Sequence, residues 1–346
     1  MASFAHDAKV LTLVAVVLAA CWVQGASLEG MLAIDSKAGT FISFFQFVSV
    51  AVTSLPSGPR LMPLHVHVGL ATLYFAVSQM NSVALTCGVS FPLLNLFRSS
   101  TPAASLVVGY ACFHKRYQHH QVVGVALISI GILLTTWMDQ PLFGRVTFCS
   151  DASGILCSLA RVQALVAAVG HWQVGVCLLV AALLLGSFLG HCQNAAMRAY
   201  PSEASGHATR ESMFYMHVIS LPLMLFSERS HVAARWAEWS AGDRVDLAPI
   251  QVGPVVVPYM FVLLLVNLVA NYLCIRAVYH LAAQVSTVSL QVILTLRKAC
   301  NLVFSVLYFA HAFTLGQWTG TCVVFVGVLI YSEVLGGGRP CKVKAK

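Results

Sequence analysis

The sequence predicts an all-α polytopic membrane protein whose ten transmembrane helices form a five-plus-five inverted repeat. Only 9% of its 346 residues are charged, against about 25% in a soluble domain. Hydrophobic residues make up 58% of the chain, and stretches without Asp, Glu, Lys or Arg recur along it. A soluble protein this poor in charge could not cover its surface with polar groups. The composition therefore excludes a soluble enzyme, a disordered chain and a small secreted disulfide scaffold.

The helices follow from uncharged stretches long enough to cross about 30 Å of hydrocarbon. The first stretch has 19 residues, more than the roughly 7–15 of a signal-peptide core, so it counts as a span. The stretch 61–97 is too long for one span and is divided near Cys87-Gly88. Arg98, Arg297 and Lys298 are placed inside helices. The predicted helices are 10–28, 39–55, 63–85, 91–113, 119–138, 173–197, 212–227, 255–279, 283–309 and 315–335.

Lys and Arg residues predict which side of the membrane each loop faces. If both termini lie in the cytosol, the cytosolic segments hold eleven Lys and Arg, the opposite segments hold six, and three lie within helices. The positive-inside rule favours this orientation. The formal net charge of +8 is then mostly a topology signal, and it does not indicate a nucleic-acid partner.

Motifs of catalysis and metal binding are absent from the sequence. There is no HExxH, GxSxG, phosphate-cradling loop or carboxylate pair. The eleven cysteines follow no metal-ligand spacing. Most lie in predicted helices, where we expect them to act as small apolar residues, and only Cys149 and Cys157 share a loop in which they could pair. The sequence therefore predicts a protein that is not an enzyme and needs no cofactor or metal.

A faint internal repeat relates the two halves of the chain. Arg98 aligns with Arg297, Gly124 with Gly320 and Gly131 with Gly327. Five helices in each half make the halves inverted relative to one another, which is a common transporter plan. We expect a single transporter domain over 1–346. It consists of a first repeat at about 9–140, a lumenal loop at about 139–172, a second repeat at about 173–335 and a cytosolic basic tail at 336–346.

Three cations within predicted helices, Arg98, Arg297 and Lys298, indicate a binding site. Each costs roughly 2.5–3.5 kcal/mol or more at the centre of a helix, and we expect no carboxylate deep enough to neutralise them. Polar residues accompany them. Gln291, Thr295 and Lys298 belong to a polar stripe on the ninth predicted helix, Asn95 lies on the fourth, and Asn267 and Asn271 lie on the eighth. The alternatives are cations that snorkel to the interface and amides that merely bind helices together.

A positively charged cavity without a carboxylate predicts an anionic ligand. Arg side chains hold phosphate oxygens with two parallel hydrogen bonds, and Lys supplies a point charge. The residues alone therefore indicate a carrier of a phosphorylated or otherwise anionic metabolite. A membrane-embedded transferase is the rival of a different class, and it would need a carboxylate pair or a metal-binding acid.

Several short segments together resemble a known family. The segments are Asn81, Phe97-Arg98-Ser99, Lys115-Arg116-Tyr117, Phe214-Tyr215 with His217, Leu221-Pro222, Cys274-Ile275-Arg276, Thr295-Leu296-Arg297-Lys298, Phe304–Phe309, Phe313-Thr314 and Glu333. They are similar to segments of nucleotide-sugar transporters of the drug/metabolite transporter superfamily, in the branch that carries UDP-N-acetylglucosamine and UDP-xylose. The similarity covers nearly the whole chain.

This resemblance implies exchange of a cytosolic nucleotide sugar for a lumenal nucleoside monophosphate. It implies that Arg297 and Lys298 face the phosphates and that Tyr215 and its neighbours approach the nucleotide. Met216 departs from the Asn that the family often has there. We expect UDP-N-acetylglucosamine exchanged for UMP, the alternatives being UDP-galactose, UDP-glucose, UDP-xylose and a GDP-sugar. The candidate substrate-binding residues are Asn81, Asn95, Arg98, Tyr215, His217, Asn267, Asn271, Gln291, Thr295, Arg297 and Lys298.

The termini and the small residues predict location and assembly. Lys342 and Lys344 resemble a K-x-K-x-x signal, which would bind a coat protein and retrieve the chain to the endoplasmic reticulum (ER). A basic tail that merely obeys the positive-inside rule is the alternative. We expect a multi-pass protein of the ER or Golgi membrane. Small faces at Gly124 and Gly131, and at Gly316 and Gly320, allow close helix packing, either within one chain or in a homodimer.

Overall fold

The computed structural model describes residues 2–56, 58–139, 155–200, 207–241, 250–252, 255–282, 284–285 and 287–332. Within these ranges it describes no side chains for residues 2–9, 155–169, 250–252, 255–257, 279, 282, 287–289 and 291. The predicted Lys342 and Lys344 signal, and Cys149 of the cysteine pair, lie outside the described residues.

The described chain is almost entirely helical, as predicted. Five of its helices are long and apolar enough to cross a membrane, and three shorter helices are also apolar. The chain is therefore a polytopic membrane protein. Its elements are α1 (Ala2–Ile34), α2 (Gly39–Thr53), α3 (Leu64–Thr86), α4 (Phe91–Ser99), α5 (Thr101–Phe113), α6 (His119–Met138), α7 (Ile155–Ala199), α8 (His207–Ala241), β1 (Ile250–Val252), β2 (Val255–Val257), α9 (Tyr259–Ala282), α10 (Thr287–Tyr308) and α11 (Leu315–Tyr331).

One predicted helix is broken in two. The sequence predicted a continuous helix over 91–113 with Arg98 in its interior, but α4 ends at Ser99 and α5 begins at Thr101. Pro102 explains the break, because a proline has no N–H to donate to the carbonyl four residues earlier and its ring clashes with that turn. Arg98 consequently lies in the last turn of α4.

Other departures concern the ends of elements. A two-stranded antiparallel hairpin, β1–β2, precedes α9, where the sequence predicted helix from 255. Helix α7 begins at Ile155, so part of the predicted loop 139–172 is helical. Helix α8 continues to Ala241 across a kink at Glu228. None of these changes the order of the helices.

The helices pack in pairs drawn from the two halves of the chain. Helix α1 packs on α9, α2 on α8, α3 on α7, and α6 on α11, while α4 contacts α10. Four buried glycines allow α6 and α11 to approach closely. A Cβ atom at Gly131 would lie 2.5 Å from the Gly320 carbonyl oxygen, and one at Gly124 would lie 2.7 Å from that of Gly327. The small faces are therefore used within one chain.

Candidate functional site

The break between α4 and α5 leaves one backbone carbonyl in need of a donor. The N–H that would bond the Arg98 carbonyl belongs to position 102, and Pro102 has none. Lys298 Nζ donates to this carbonyl at 3.1 Å, and Thr101 Oγ1 donates to it at 2.8 Å. Lys298 thus joins α10 to the broken helix. Broken helices whose free backbone ends face a binding site are a recurring feature of transporters.

Arg297 lies beside a disulfide bond. Its Nη1 is 3.2 Å from Cys21 Sγ and 3.3 Å from Cys274 Sγ. Cys21 and Cys274 are bonded to each other and connect α1 to α9. Our expectation that cysteines in helices act only as small apolar residues is therefore wrong for this pair. The Nε of Arg297 is buried without a hydrogen-bond partner in the described part of the structure, so the guanidinium keeps an unused donor.

The three cations form one electropositive group. Arg98 and Arg297 both lie within electrostatic range of Lys298. Among the described residues, none of the three has a carboxylate oxygen within 4.0 Å. Like charges repel one another, and the repulsion grows as water is excluded from between them. The arrangement is thus unfavourable when empty, and it favours an anion that would neutralise it.

A small cavity lies between α1, α4 and α10, beside the cations. Its wall includes Trp22, Asn95, Arg98, Asn301 and Phe304. Its volume is about 50 Å³, which holds one or two water molecules and no large ligand. A nucleotide-sized ligand could enter only if the helices moved apart.

A carboxylate also lines this cavity, contrary to our expectation. The predicted first helix ended at residue 28, whereas α1 continues to Ile34 and carries Glu29 into the cavity wall. Glu29 is only 4% exposed. Its Oε1 accepts hydrogen bonds from Ser305 Oγ at 2.6 Å and from His311 Nε2 at 2.7 Å. These bonds tie the end of α1 to α10 and to the turn before α11.

A second polar cluster lies between α3 and α8. His217 Nδ1 donates to the Met213 carbonyl at 2.7 Å, so its Nε2 is free to accept from the Tyr74 hydroxyl at 3.1 Å. Phe47 packs edge-on against the His217 ring. Tyr74 lies within electrostatic range of Arg98. This cluster therefore lies near the cations, and Tyr74 is the member that interacts electrostatically with Arg98.

Tyr215 precedes His217 in α8 and lies next to this second cluster, on the side towards the beginning of the helix. Its ring stacks on His67 with centroids 4.2 Å apart. His67 Nε2 donates to Glu211 at 2.9 Å, and the same carboxylate accepts from the amides of Leu61 and Met62 at 2.8 and 2.9 Å. Tyr215 is thus held by a buried network that closes this end of the helix pair.

The remaining candidate residues differ in burial and in whether their side chains are already hydrogen-bonded within the protein. Asn267 is fully buried, and its amide bonds Gln24, Ser27 and Gln46, so it holds three helices together. Asn81 donates to the Val77 carbonyl of its own helix. Asn271 is half-buried one turn beyond Asn267, and Thr295 is buried in α10. The side chain of Gln291 lies outside the described part of the structure.

Trp22 and Glu29 are cavity residues that sequence reasoning missed. With Gly25, they recur at intervals of three and four residues along α1, so they share one face of the helix. This spacing was visible in the sequence. It carried no signal alone, because an aromatic residue and a helix-end carboxylate are common in any first span.

The comparison with known families decides the chain's family. The profile of the UAA transporter family matches residues 9–335. The chain belongs to the UAA transporter family. This confirms the resemblance to nucleotide-sugar transporters, and membership of a transporter family agrees with the prediction that the chain is not an enzyme.

Relatives of this UAA family member carry names of nucleotide-sugar carriers. A nucleotide sugar transporter of Mus musculus, SLC35B4, is 30% identical over 330 residues, which cover 93% of each chain. The Danio rerio UDP-xylose and UDP-N-acetylglucosamine transporter is 29% identical over 329 residues, again 93% of each chain. The endoplasmic reticulum GDP-fucose transporter of Drosophila melanogaster is 29% identical, covering 92% of this chain and 89% of its own.

Proposed function

We propose that this chain exchanges cytosolic UDP-N-acetylglucosamine for lumenal UMP across the ER or Golgi membrane, by alternating access about the three cations. The observation that carries the proposal is the group formed by Arg98, Arg297 and Lys298, which lies beside a helix break in a UAA transporter and has no carboxylate oxygen within 4.0 Å among the described residues. The diphosphate of the sugar nucleotide and the phosphate of UMP supply the missing negative charge in turn.

The packing of the helices supports ten spans in an inverted repeat. Under the alignment of the halves, α1 corresponds to α7, α2 to α8, α3 to α9, α4 with α5 to α10, and α6 to α11. The contact of α1 with α9 then corresponds to that of α7 with α3, and the contact of α1 with α10 to that of α7 with α5. An arrangement related by a pseudo-two-fold axis produces such pairs.

The turns before α6 and α11 support the same repeat. His114 and Ala310, 196 positions apart, both have a φ of 50°. Gln121 Oε1 accepts a hydrogen bond from the backbone N–H of Gln118 at 2.9 Å, and Gln317 Oε1 accepts one from the backbone N–H of Thr314 at 2.7 Å. The aligned glycines do not contact each other: Gly124 packs on Gly327, and Gly131 packs on Gly320. This crossed pairing is expected where two equivalent helices meet on a two-fold axis.

The orientation follows from the positive-inside rule, with both termini in the cytosol. Glu29, Ser305 and His311 then close the lumenal end of the cavity. At the cytosolic end, the Tyr117 hydroxyl donates to the Ser105 carbonyl at 2.9 Å and His191 Nε2 lies 3.2 Å from the same oxygen. A ligand shifts the equilibrium between the inward-open and outward-open states by the difference in its affinity for them. Substrate binding would therefore favour the release of one closure at a time.

The names of the relatives support the proposed base and sugar of the substrate. The Danio rerio protein is named for UDP-xylose and UDP-N-acetylglucosamine, and the Dictyostelium discoideum relative, 26% identical, for UDP-N-acetylglucosamine. A GDP-sugar is the second candidate. The GDP-fucose transporter of Drosophila melanogaster is 29% identical, as the zebrafish protein is, and Met216 offers no amide to a uracil ring.

Counterflow in liposomes tests the substrate. Purified protein is reconstituted into vesicles loaded with UMP, GMP or no nucleotide, and uptake of labelled UDP-N-acetylglucosamine, UDP-xylose, UDP-galactose, UDP-glucose and GDP-fucose is measured. We expect UMP-loaded vesicles to take up UDP-N-acetylglucosamine fastest. Uptake of GDP-fucose alone, driven by GMP, would establish the second candidate, and uptake of no nucleotide sugar would refute the transport proposal.

A further inference from the structure

The cavity beside the cations has two different ends. Lys298 bonds the Arg98 carbonyl. Glu29 bonds Ser305, which lies about two turns further along α10. Arg98 therefore contributes a positive charge near one end of the cavity, and Glu29 contributes a carboxylate near the other. Trp22 and Phe304 also line the cavity from facing helices, with ring centroids 4.8 Å apart and planes at 81°. A carboxylate repels phosphate groups and accepts hydrogen bonds from hydroxyl and amide donors. The Glu29 end therefore suits an uncharged, hydroxyl-rich part of a ligand.

Asn301 supplies a second acceptor in the same wall. Its Nδ2 donates weakly to the Cys21 carbonyl at 3.4 Å, and its buried Oδ1 has no hydrogen-bond partner among the described residues. Buried polar atoms are almost always satisfied, so an unpaired oxygen at a cavity is available to a donor from water or from a ligand. Gly25 makes room for this amide, because a Cβ there would lie 3.1 Å from Asn301 Nδ2.

The second aromatic cluster lies on the α3 and α8 side of Arg98. It contains Tyr74, Phe47 and His217, and aromatic rings are surfaces on which a nucleotide base stacks. A nucleotide sugar has its phosphates in the middle, its base at one end and its sugar at the other. With the phosphates on the cations and the base towards α8, the sugar points towards Glu29.

We infer that Trp22, Phe304, Asn301 and Glu29 form the sugar subsite of this transporter. The inference rests on the proposed function and deepens it. Glu29 and Asn301 accept hydrogen bonds from sugar hydroxyls and from an acetamido N–H, while the aromatic rings cover the apolar face of the ring. Ser305 and His311 hold the Glu29 carboxylate in the closed state, and the sugar replaces them when the helices separate.

UMP provides the comparison ligand, since it shares the uridine and one phosphate with the substrate and lacks the second phosphate and the N-acetylglucosamine. Labelled UMP and labelled UDP-N-acetylglucosamine are compared as external ligands in vesicles loaded with UMP. For Glu29→Gln we expect the ratio of the apparent affinity for UDP-N-acetylglucosamine to that for UMP to fall about tenfold, because a charge-assisted hydrogen bond becomes a neutral one. Asn301→Leu and Trp22→Ala should lower the same ratio.

Two control variants separate this role from folding and from gating. His311→Asn weakens the closure by replacing one of its two donors and leaves the Glu29 carboxylate in place, so it should change transport of both ligands together. Trp137→Leu removes a Trp that is 59% exposed on α6, and it should leave the ratio unchanged. If Glu29→Gln and Trp22→Ala lower transport of both ligands equally, or change neither, the sugar subsite is refuted while wild-type exchange still stands. Absence of wild-type exchange of either ligand would instead refute the transport proposal.

Discussion

Replacing Gly131 by Ala should destabilise the protein, although alanine is the better helix former. The added Cβ would lie 2.5 Å from the Gly320 carbonyl oxygen and 2.8 Å from the backbone nitrogen of Val324. Both neighbours are backbone atoms, so α6 and α11 must separate by about 0.9 Å to restore an ordinary contact of 3.4 Å. Overpacking of this kind costs about 1–3 kcal/mol, which exceeds the roughly 0.5–1 kcal/mol that alanine gains over glycine in a helix.

The matched control is Gly69→Ala in α3, where an added Cβ meets no atom within 4 Å. This variant gains the helix propensity and meets no clash, so its stability should stay level or rise. The apparent melting temperature of detergent-solubilised protein is measured for both variants. We expect Gly131→Ala to melt several degrees lower than wild type and Gly69→Ala to melt at or above it. If Gly131→Ala melts as high as Gly69→Ala, the close packing of α6 on α11 is wrong.

Three further predictions address the site and the location. Lys298→Ala and Arg297→Ala should abolish nucleotide exchange and leave the melting temperature within a few degrees of wild type. The control Arg276→Ala removes an exposed cation near the Tyr272 ring and should retain exchange. Normal uptake by the first two variants would overturn the phosphate site. Burial raises the pKa of Asp139 at the end of α6, so the folded state binds this proton more tightly than the unfolded state. The stability of the fold should therefore fall as the pH rises from the ordinary pKa of Asp through the raised pKa. Melting curves across acidic pH should show this slope in wild type and lack it in Asp139→Asn. Replacing Lys342 and Lys344 by Ser should move the protein from the ER towards the Golgi, and an unchanged distribution in fluorescence microscopy would leave the tail as a topology signal only.

The sequence predicted the helices well because lipid exposure fixes their composition. A span that faces hydrocarbon must be apolar over its whole length, and each predicted span contains helix in the structure, although the span 91–113 is divided into α4 and α5. The break at Ser100 was missed because the hydropathy continues across it, even though Pro102 stood in the sequence. A local rule about hydrogen-bond donors was needed there, and an apolar pattern cannot supply it.

The candidate site was predicted only in part, because its composition depends on which helices meet. The cations were found because a charge within a span has a known cost. Glu29 was excluded by ending the first helix six residues early, and the Cys21–Cys274 bond joins residues 253 positions apart that share no local signal. Asn267 belonged to the same polar pattern as the cations, yet its amide is fully used between helices. Residue type and spacing could not separate these two roles.

The two proposed closures use corresponding helices with different chemistry, and this difference has a mechanistic consequence. The cytosolic closure joins α5 to α7 through a serine carbonyl, a phenol and an imidazole, whereas the lumenal closure joins α10 to α1 through the Glu29 carboxylate. Opening the lumenal end removes two hydrogen bonds from a buried carboxylate, which is costly unless other donors replace them. The hydroxyls of a bound sugar would supply such donors, and a ligand that lacks the sugar would not. In the proposed mechanism, therefore, a carrier loaded with the nucleotide sugar opens towards the lumen more readily than a carrier loaded with the nucleoside monophosphate alone.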